Sequence, residues 1–354
     1  MGTFFSKIIN FYNKGIFIAI FISTLILVLI FHNWLFVQIE HVVSYYYVYA
    51  GDQDFKKGHL QEAINDYNRA LRLYPEHTKA RYNLGNIYVA YEDFDSAATC
   101  YEKALEVYPN FLNARINLGI ILSEELFNID QAIVEYQRVI DSRPLVINIP
   151  FLYNNSTYIK NSKALAYYNM GLAFKAKSLL SGGNKYLSRY NLEKAAESYR
   201  RSIKIEYNNY DCHYNLAISL HLLGNQTEAL EEYCRSIYIS PLSYESHYNL
   251  AMLLKQKKQY RQSMLELEKA GLLLDERGDT FKTQFIYQML NDVSQRNAMQ
   301  REYTLLSAPK QSDEDLTNDI IYVKGKAVLS EKFGQNFYNY MRSCSSCDFI
   351  KSEK

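Results

Sequence analysis

The first forty residues contain the longest uncharged stretch of the chain. Residues 16–31 read IFIAIFISTLILVLIF, and the apolar run resumes at Trp34 and ends at Val37. About 22 residues of this kind can cross a hydrocarbon core of roughly 30 Å as a helix. We therefore predict a transmembrane helix over residues 16–37, preceded by a short segment of residues 1–15.

The flanking residues of this run predict an uncleaved anchor and its orientation. A cleaved signal peptide is the alternative, but it would have a shorter apolar region and a small-x-small cleavage site. Lys7 and Lys14 precede the run, and no lysine or arginine follows it before Lys56. Because positive charges tend to stay inside, we expect the N-terminus in the cytoplasm and residues beyond about 40 outside it. In a bacterium, that side is the periplasm.

The rest of the chain repeats small, apolar and aromatic positions about every 34 residues. HYNLA occurs at 213–217 and again at 247–251, with the relatives RYNLG, RINLG and YYNMG at 81–85, 115–119 and 167–171. A second segment follows each first one, with a small residue and then a large one four positions later. The small residues are Ala63, Ala97, Ala132, Ala195, Ala229 and Ser263, and the large ones are Tyr67, Tyr101, Tyr136, Tyr199, Tyr233 and Leu267. This period predicts pairs of helices that stack to build one core.

The repeats resemble the tetratricopeptide repeat (TPR) family over residues 44–275, in about six units. The resemblance implies an all-α fold, in which an N-terminal transmembrane helix is followed by a TPR α-solenoid. Glycine or alanine in each first helix lets the two helices approach closely, and we expect the tyrosine to fill space against the neighbouring hairpin. The family's early tryptophan is absent, and Tyr207 replaces a closing proline. Ser263 and Leu267 depart from the pattern as an end repeat does.

Two insertions and a C-terminal extension interrupt or follow the repeats. We expect the insertions, at about 145–163 and 180–191, to form loops. They are either tolerated surface loops or, because FLY and YLSRY are aromatic, docking elements. Residues 276–306 are predicted to form a capping helix, and residues 307–354 a linker and C-terminal segment of unassigned fold. The predicted apolar face of the capping helix comprises Phe281, Phe285, Met289 and Val293.

Cysteine and histidine give little support for chemistry. The five cysteines do not predict a disulfide framework. Cys344 and Cys347 have the spacing of a thiol redox pair or of half a zinc site, but two further zinc ligands are missing. The remaining three, Cys100, Cys212 and Cys234, are expected in the core. His213 and His247 share one repeat slot, which indicates packing or hydrogen bonding. We expect no catalytic site, no metal and no cofactor, so the chain is not predicted to be an enzyme.

Asparagine and tyrosine in the first helices are the candidate partner-binding residues. The resemblance implies that first helices line a concave groove, where an amide could bind the N–H and C=O of an extended peptide. The asparagines are Asn83, Asn117, Asn169, Asn215 and Asn249, and the neighbouring tyrosines are Tyr82, Tyr168, Tyr214 and Tyr248. The alternative is that these amides serve packing between adjacent helices, since the same run is the family's ordinary consensus.

These features predict a single-pass protein of the inner (cytoplasmic) membrane that holds other proteins, or copies of itself, at the membrane. The net charge of +1 gives no reason to expect nucleic acid. The architecture is similar to anchored TPR scaffolds of bacterial envelope machines, including the collars of periplasmic flagellar motors, which motility needs. The alternatives are a receptor for extended peptides or client proteins and, less favoured, a redox protein using Cys344 and Cys347.

Overall fold

The computed structural model describes the backbone of residues 2–143, 155–307 and 347, and the side chains of residues 22–143, 156–299 and 347. Regular structure in these ranges is α-helical, which confirms the predicted fold class. The helices are α1 Gly2–Lys56, α2 Leu60–Leu73, α3 Thr78–Ala90, α4 Phe94–Val107, α5 Leu112–Glu124, α6 Ile129–Ile140, α7 Asn155–Leu179, α8 Lys185–Ile205, α9 Tyr210–Leu223, α10 Gln226–Ile239, α11 Tyr244–Gln256, α12 Tyr260–Glu276 and α13 Thr280–Ser307. Residues 145–154 of the first predicted insertion and most of residues 308–354 lie outside the described residues. Residues 155–163 of that insertion belong to α7, so the expectation of a loop is wrong there.

α1 joins the predicted membrane span to the first repeat without a break. Within the described part of the chain, it is the one helix long and apolar enough to cross a membrane. No glycine or proline occurs from residue 16 to residue 50, so nothing interrupts the helix. Its far end belongs to the first hairpin, where Val48 is buried and Gly51 packs on Tyr67 of α2. The span and the first helix of the first repeat are therefore one element.

The described chain forms two compact units, residues 1–128 and 129–354. In the first unit, α1 pairs with α2, α3 pairs with α4, and α5 packs on α4. In the second unit, the pairs are α7 with α8, α9 with α10 and α11 with α12. There, α6 packs on α7 and α13 packs on α12. Each unit is thus a stack of helix pairs, as the repeat predicts.

Three hairpins close where a tyrosine of the second helix lies on a glycine of the first helix. A Cβ atom added at Gly51, Gly85 or Gly171 would lie 2.8, 2.7 or 2.5 Å from a tyrosine ring carbon. The tyrosines in these contacts are Tyr67, Tyr101 and Tyr199, all of them buried. The rings thus pack inside their own hairpin, and the hydroxyl groups of Tyr67 and Tyr101 also contact Asn83 and Asn117 of the neighbouring hairpins. The expectation that the tyrosines fill space against the neighbouring hairpin is therefore correct in part.

The second predicted insertion lengthens two helices and does not form a long loop. α7 continues to Leu179 and α8 begins at Lys185, so residues 180–184 alone connect them. Gly182 and Gly183 have φ of +58° and +83°, a conformation that glycine adopts without strain. The Asn184 side chain then accepts a hydrogen bond from the Leu187 N–H and caps α8. Residues 185–191 contain no helix breaker, which explains why the loop expectation is wrong there.

α13 caps the second unit at nearly the predicted position, but through a different face. Ile286 and Val293 are buried against α12, with Met289 beside them. Phe281 is 81% exposed and Phe285 is 47% exposed. A row of residues spaced by four drifts around a helix of 3.6 residues per turn. Only part of the predicted row can therefore face α12.

Candidate partner-binding surface

The five candidate asparagines occupy one slot in five first helices. Asn83 lies on α3, Asn117 on α5, Asn169 on α7, Asn215 on α9 and Asn249 on α11. Asn169 and Asn215 are buried, and the other three are half-buried. The four tyrosines next to this slot, at 82, 168, 214 and 248, are also half-buried. All nine side chains are therefore partly or fully covered by the stack.

Asn83 belongs to a polar cluster around Asp52 of α1. The Asn83 Nδ2 donates to Asp52 Oδ1 at 2.6 Å, and the Tyr67 hydroxyl donates to the same oxygen at 2.9 Å. Lys79 Nζ donates to Asp52 Oδ2 at 2.6 Å. Burial, together with the hydrogen bond and charge of Asp52, raises the pKa of Tyr67 well above its usual value. Its hydroxyl therefore remains protonated and acts as a donor.

A similar cluster follows one repeat later around Asn86. The Tyr101 hydroxyl donates to Asn86 Oδ1 at 2.7 Å, and Asn117 Nδ2 donates to the same oxygen at 3.2 Å. Asn117 Nδ2 also lies 3.3 Å from the Tyr82 hydroxyl. Asp52 and Asn86 stand one residue after Gly51 and Gly85, so the acceptor position repeats with the stack.

In the second unit, the asparagine slot has three different environments. Asn215 Oδ1 accepts from Lys175 Nζ at 2.6 Å, and its Nδ2 donates to the Asp211 carbonyl at 2.9 Å. Asn249 Nδ2 donates to the Tyr214 hydroxyl at 2.8 Å. Asn169 Nδ2 is buried without a hydrogen-bond partner among the described residues. Four of the five amide nitrogens are thus used inside the stack, and Asn215 also uses its oxygen there.

His213 and His247 have structural roles, as their shared slot predicts. His213 Nε2 lies 2.8 Å from the Tyr207 carbonyl, and His247 Nε2 lies 3.0 Å from the Pro241 carbonyl. Arg81 of the same slot donates to the Pro75 carbonyl in the same way. In these three repeats, the residue in this slot donates to the carbonyl group of the residue two positions after the end of the preceding second helix.

The other ring nitrogen of each histidine contacts a buried glutamate. His213 Nδ1 lies 2.6 Å from Glu232 Oε2, and His247 Nδ1 lies 2.5 Å from Glu266 Oε2. Lys269 Nζ donates to Glu266 Oε1 at 2.9 Å, and both side chains are about 2% exposed. Burial by itself would raise the pKa of Glu266, but His247 and Lys269 outweigh it and hold that pKa below its usual value. The three side chains form a buried network of hydrogen bonds around the Glu266 carboxylate.

The cysteines differ from the expectation of a chain without disulfides. Cys234 of α10 forms a disulfide with Cys347, with a Cα–Cα distance of 5.4 Å. Cys344 lies outside the described residues. Cys212 is buried, and this burial raises its pKa to about 11, so its thiol is a poor nucleophile. Across the described part of the chain, no three His, Cys, Asp or Glu side chains are grouped to hold a metal ion.

Comparison with known families identifies the repeats. Models described as "Tetratricopeptide repeat" match residues 78–111, 180–244 and 244–270, and one described as "TPR repeat" matches residues 51–91. No functionally curated protein shows significant sequence similarity to the chain.

Solved structures share the fold at low sequence identity. PilF of Pseudomonas aeruginosa is 16% identical, with a TM-score of 0.53, over 72% of this chain and 98% of that one. PilW, described as a widely conserved type IV pilus biogenesis factor, is 14% identical, with a TM-score of 0.50, over 70% and 98%. Likeness at this level of identity shows the fold alone.

Proposed function

The chain is a tetratricopeptide-repeat protein, and we propose that it is a membrane-anchored scaffold that assembles or stabilises an envelope complex. TPR proteins bind other proteins or peptides through stacked helix pairs. The observation that carries the proposal is the continuity of α1, which places the first hairpin on the helix that contains the candidate membrane span. A partner held by the first repeat would therefore be held close to the membrane.

The proposed location is the inner membrane, with the repeats in the periplasm. Lys7 and Lys14 precede the span, and no lysine or arginine follows it before Lys56. This bias supports a cytoplasmic N-terminus. A reporter fused after Lys354 tests the orientation. Alkaline phosphatase activity is expected, and activity of a cytoplasmic reporter would contradict the proposal.

The proposed complex is the collar of a periplasmic flagellar motor. The support is the architecture of the described chain, in which a candidate span in α1 is followed by stacked helix pairs, together with the similarity of this architecture to anchored collar scaffolds. Cross-linking in intact membranes, followed by purification of the full chain, should recover motor or collar proteins. A matched control carries an unrelated transmembrane helix over residues 16–37 and should recover the same partners. Recovery of a complex unrelated to the motor, together with full motility in a deletion strain, would reject the collar assignment.

A receptor for extended peptides is the second candidate, and Asn169 is the observation that favours it. Its Nδ2 is buried and has no hydrogen-bond partner in the described residues. Burying an unsatisfied donor costs about 1–3 kcal/mol, so a peptide that displaced the side chains covering Nδ2 would supply the missing acceptor with its carbonyl group. Asn169→Ala should weaken peptide binding without loss of stability, whereas Asn83→Ala should reduce stability because Asp52 loses a donor. Unchanged partner binding in Asn169→Ala would remove this candidate.

A further inference from the structure

Cys234 occupies a repeat slot that is exposed or half-buried in the other repeats. The slot lies five positions after the small residue of each second helix. Its occupants in the other repeats are Asn68, Glu102 and Gln137, which are exposed, and Arg200 and Glu268, which are half-buried. Cys234 is 1% exposed. Because the repeat itself does not bury this slot, something outside the repeat covers Cys234.

The covering residue is Cys347, near the carboxyl terminus. It is 8% exposed and belongs to the apolar cluster formed by Tyr233, Ile237 and their neighbours. Its Cα lies 5.4 Å from that of Cys234, inside the ordinary range for a disulfide. α13 ends at Ser307, and Cys347 further along the chain lies against α10.

We propose that the Cys234–Cys347 disulfide fixes the carboxyl-terminal segment, through Cys347, to α10, the second helix of the α9–α10 hairpin. The bond forms when two thiols lose two protons and two electrons to a protein disulfide, which is reduced to a dithiol. Such oxidants act in oxidising compartments such as the bacterial periplasm. This step therefore rests on the proposed periplasmic placement of the repeats.

The disulfide encloses the end of the stack in a covalent loop. Residues 234 and 347 are separated by 113 positions, and α11, α12 and α13 lie between them. In repeat proteins, each unit is held only by its neighbours, so terminal units open most readily. Holding the segment against α10 opposes this opening. The candidate binding residues Tyr214 and Asn249 lie on first helices, whereas the segment is fixed on a second helix.

The pairing is tested on the full chain in intact cells. Thiols are blocked with a maleimide before lysis, and the purified chain is digested without reductant and mapped by mass spectrometry. A linked peptide joining Cys234 to Cys347 is expected, at least tenfold more abundant than any peptide with a Cys344–Cys347 bond. Cys234 carrying maleimide before reduction would overturn the proposal.

Matched cysteine variants test whether the bond fixes the segment. Cys234→Ser and Cys347→Ser should each raise amide hydrogen exchange in α11–α13 at least tenfold. The double variant should exchange no faster than either single variant, because all three lose the same bond. Cys344→Ser is the control and should exchange like the parent chain. Unchanged exchange in both single variants would overturn the fixing role.

A separate experiment distinguishes failure of the proposed disulfide pairing from failure of the proposed membrane orientation. A cytoplasmic reporter signal after Lys354 would reject the periplasmic placement, and the pairing is then decided on purified reduced chain exposed to oxidised glutathione. Preferential formation of the Cys234–Cys347 bond supports docking on α10. Preferential formation of the Cys344–Cys347 bond overturns it.

Discussion

Gly171 lies directly beneath the ring of Tyr199, so closely that an added Cβ would be 2.5 Å from Cε1. This contact joins α7 to α8, the two longest helices of the second unit's hairpins. It shows why the slot needs a tiny residue, and it makes the effect of a single methyl group predictable.

Gly171→Ala should destabilise the α7–α8 hairpin by about 1–2 kcal/mol, since overpacking outweighs the helix propensity gained. Hydrogen exchange of the α7 and α8 amides measures this loss locally. Gly271→Ala is the matched control, because its Cβ would lie 3.3 Å from Cε1 of Tyr287, a partly exposed ring that can shift, and 3.4 Å from Ile286 Cγ2. It should be neutral or stabilising. Equal losses in both variants would contradict the packing argument.

Two tyrosines of the same repeat slot should respond oppositely to loss of the hydroxyl group. The Tyr67 hydroxyl donates to Asp52, whereas the buried Tyr199 hydroxyl has no hydrogen-bond partner among the described residues. Tyr67→Phe should therefore cost about 1–2 kcal/mol, and Tyr199→Phe should be neutral or stabilising by up to about 1 kcal/mol. Exchange protection of the two hairpins gives both values. A large loss in Tyr199→Phe would indicate that its hydroxyl is satisfied.

The buried network around Glu266 should make the α11–α12 hairpin acid-sensitive. The folded-state pKa of Glu266 is lowered, so its contribution to stability is present above the unfolded value of roughly 4.3 and is lost as pH falls through the lowered pKa. Exchange protection of α11 and α12 should decline below about pH 4.

Removing the charge of Glu266 should be much more costly than removing a surface charge. Glu266→Gln removes the carboxylate that pairs with the buried Lys269 Nζ at 2.9 Å, which should destabilise the hairpin by about 3–5 kcal/mol. Glu231→Gln is the control, because Glu231 is 40% exposed and pairs with Arg235 at 3.7 Å. It should cost less than about 1 kcal/mol. The two variants having similar stability would argue against a buried network.

Because α1 is continuous, the angle of the first hairpin around the helix axis should depend on how many residues separate it from the candidate membrane span. One alanine inserted after Glu40 should turn the hairpin by about 100° and move it about 1.5 Å, whereas seven inserted residues restore nearly the original angle. Cross-linking to partners in membranes should fall with one or three inserted residues and recover with seven. Equal cross-linking by all insertions would mean that the partner does not depend on this angle.

The hairpins could be predicted from sequence because each pairs a tiny residue of the first helix with a large residue of the second, a tyrosine in five of the six repeats, and that pairing recurs mostly every 34 or 35 residues. The hydrogen-bond partners of the asparagine side chains could not be predicted, because they differ from repeat to repeat. Asn215 accepts from Lys175, whereas Asn83 donates to Asp52. The partner of Cys347 was also missed, since pairing over 113 residues leaves no local pattern. A comparison of slot occupants would have marked Cys234 as the exception in a polar position.

Cys234 on α10 also distinguishes two neighbouring repeats that are otherwise similar. α10 and α12 are the second helices of neighbouring repeats, and their corresponding slots at residues 234 and 268 lie 34 residues apart, so a segment that recognised only the repeat could dock in either of two registers. The corresponding slot on α12 holds Glu268, which cannot form a disulfide. The disulfide therefore makes two otherwise similar repeats unequal, because Cys347 can bond to α10 and not to α12.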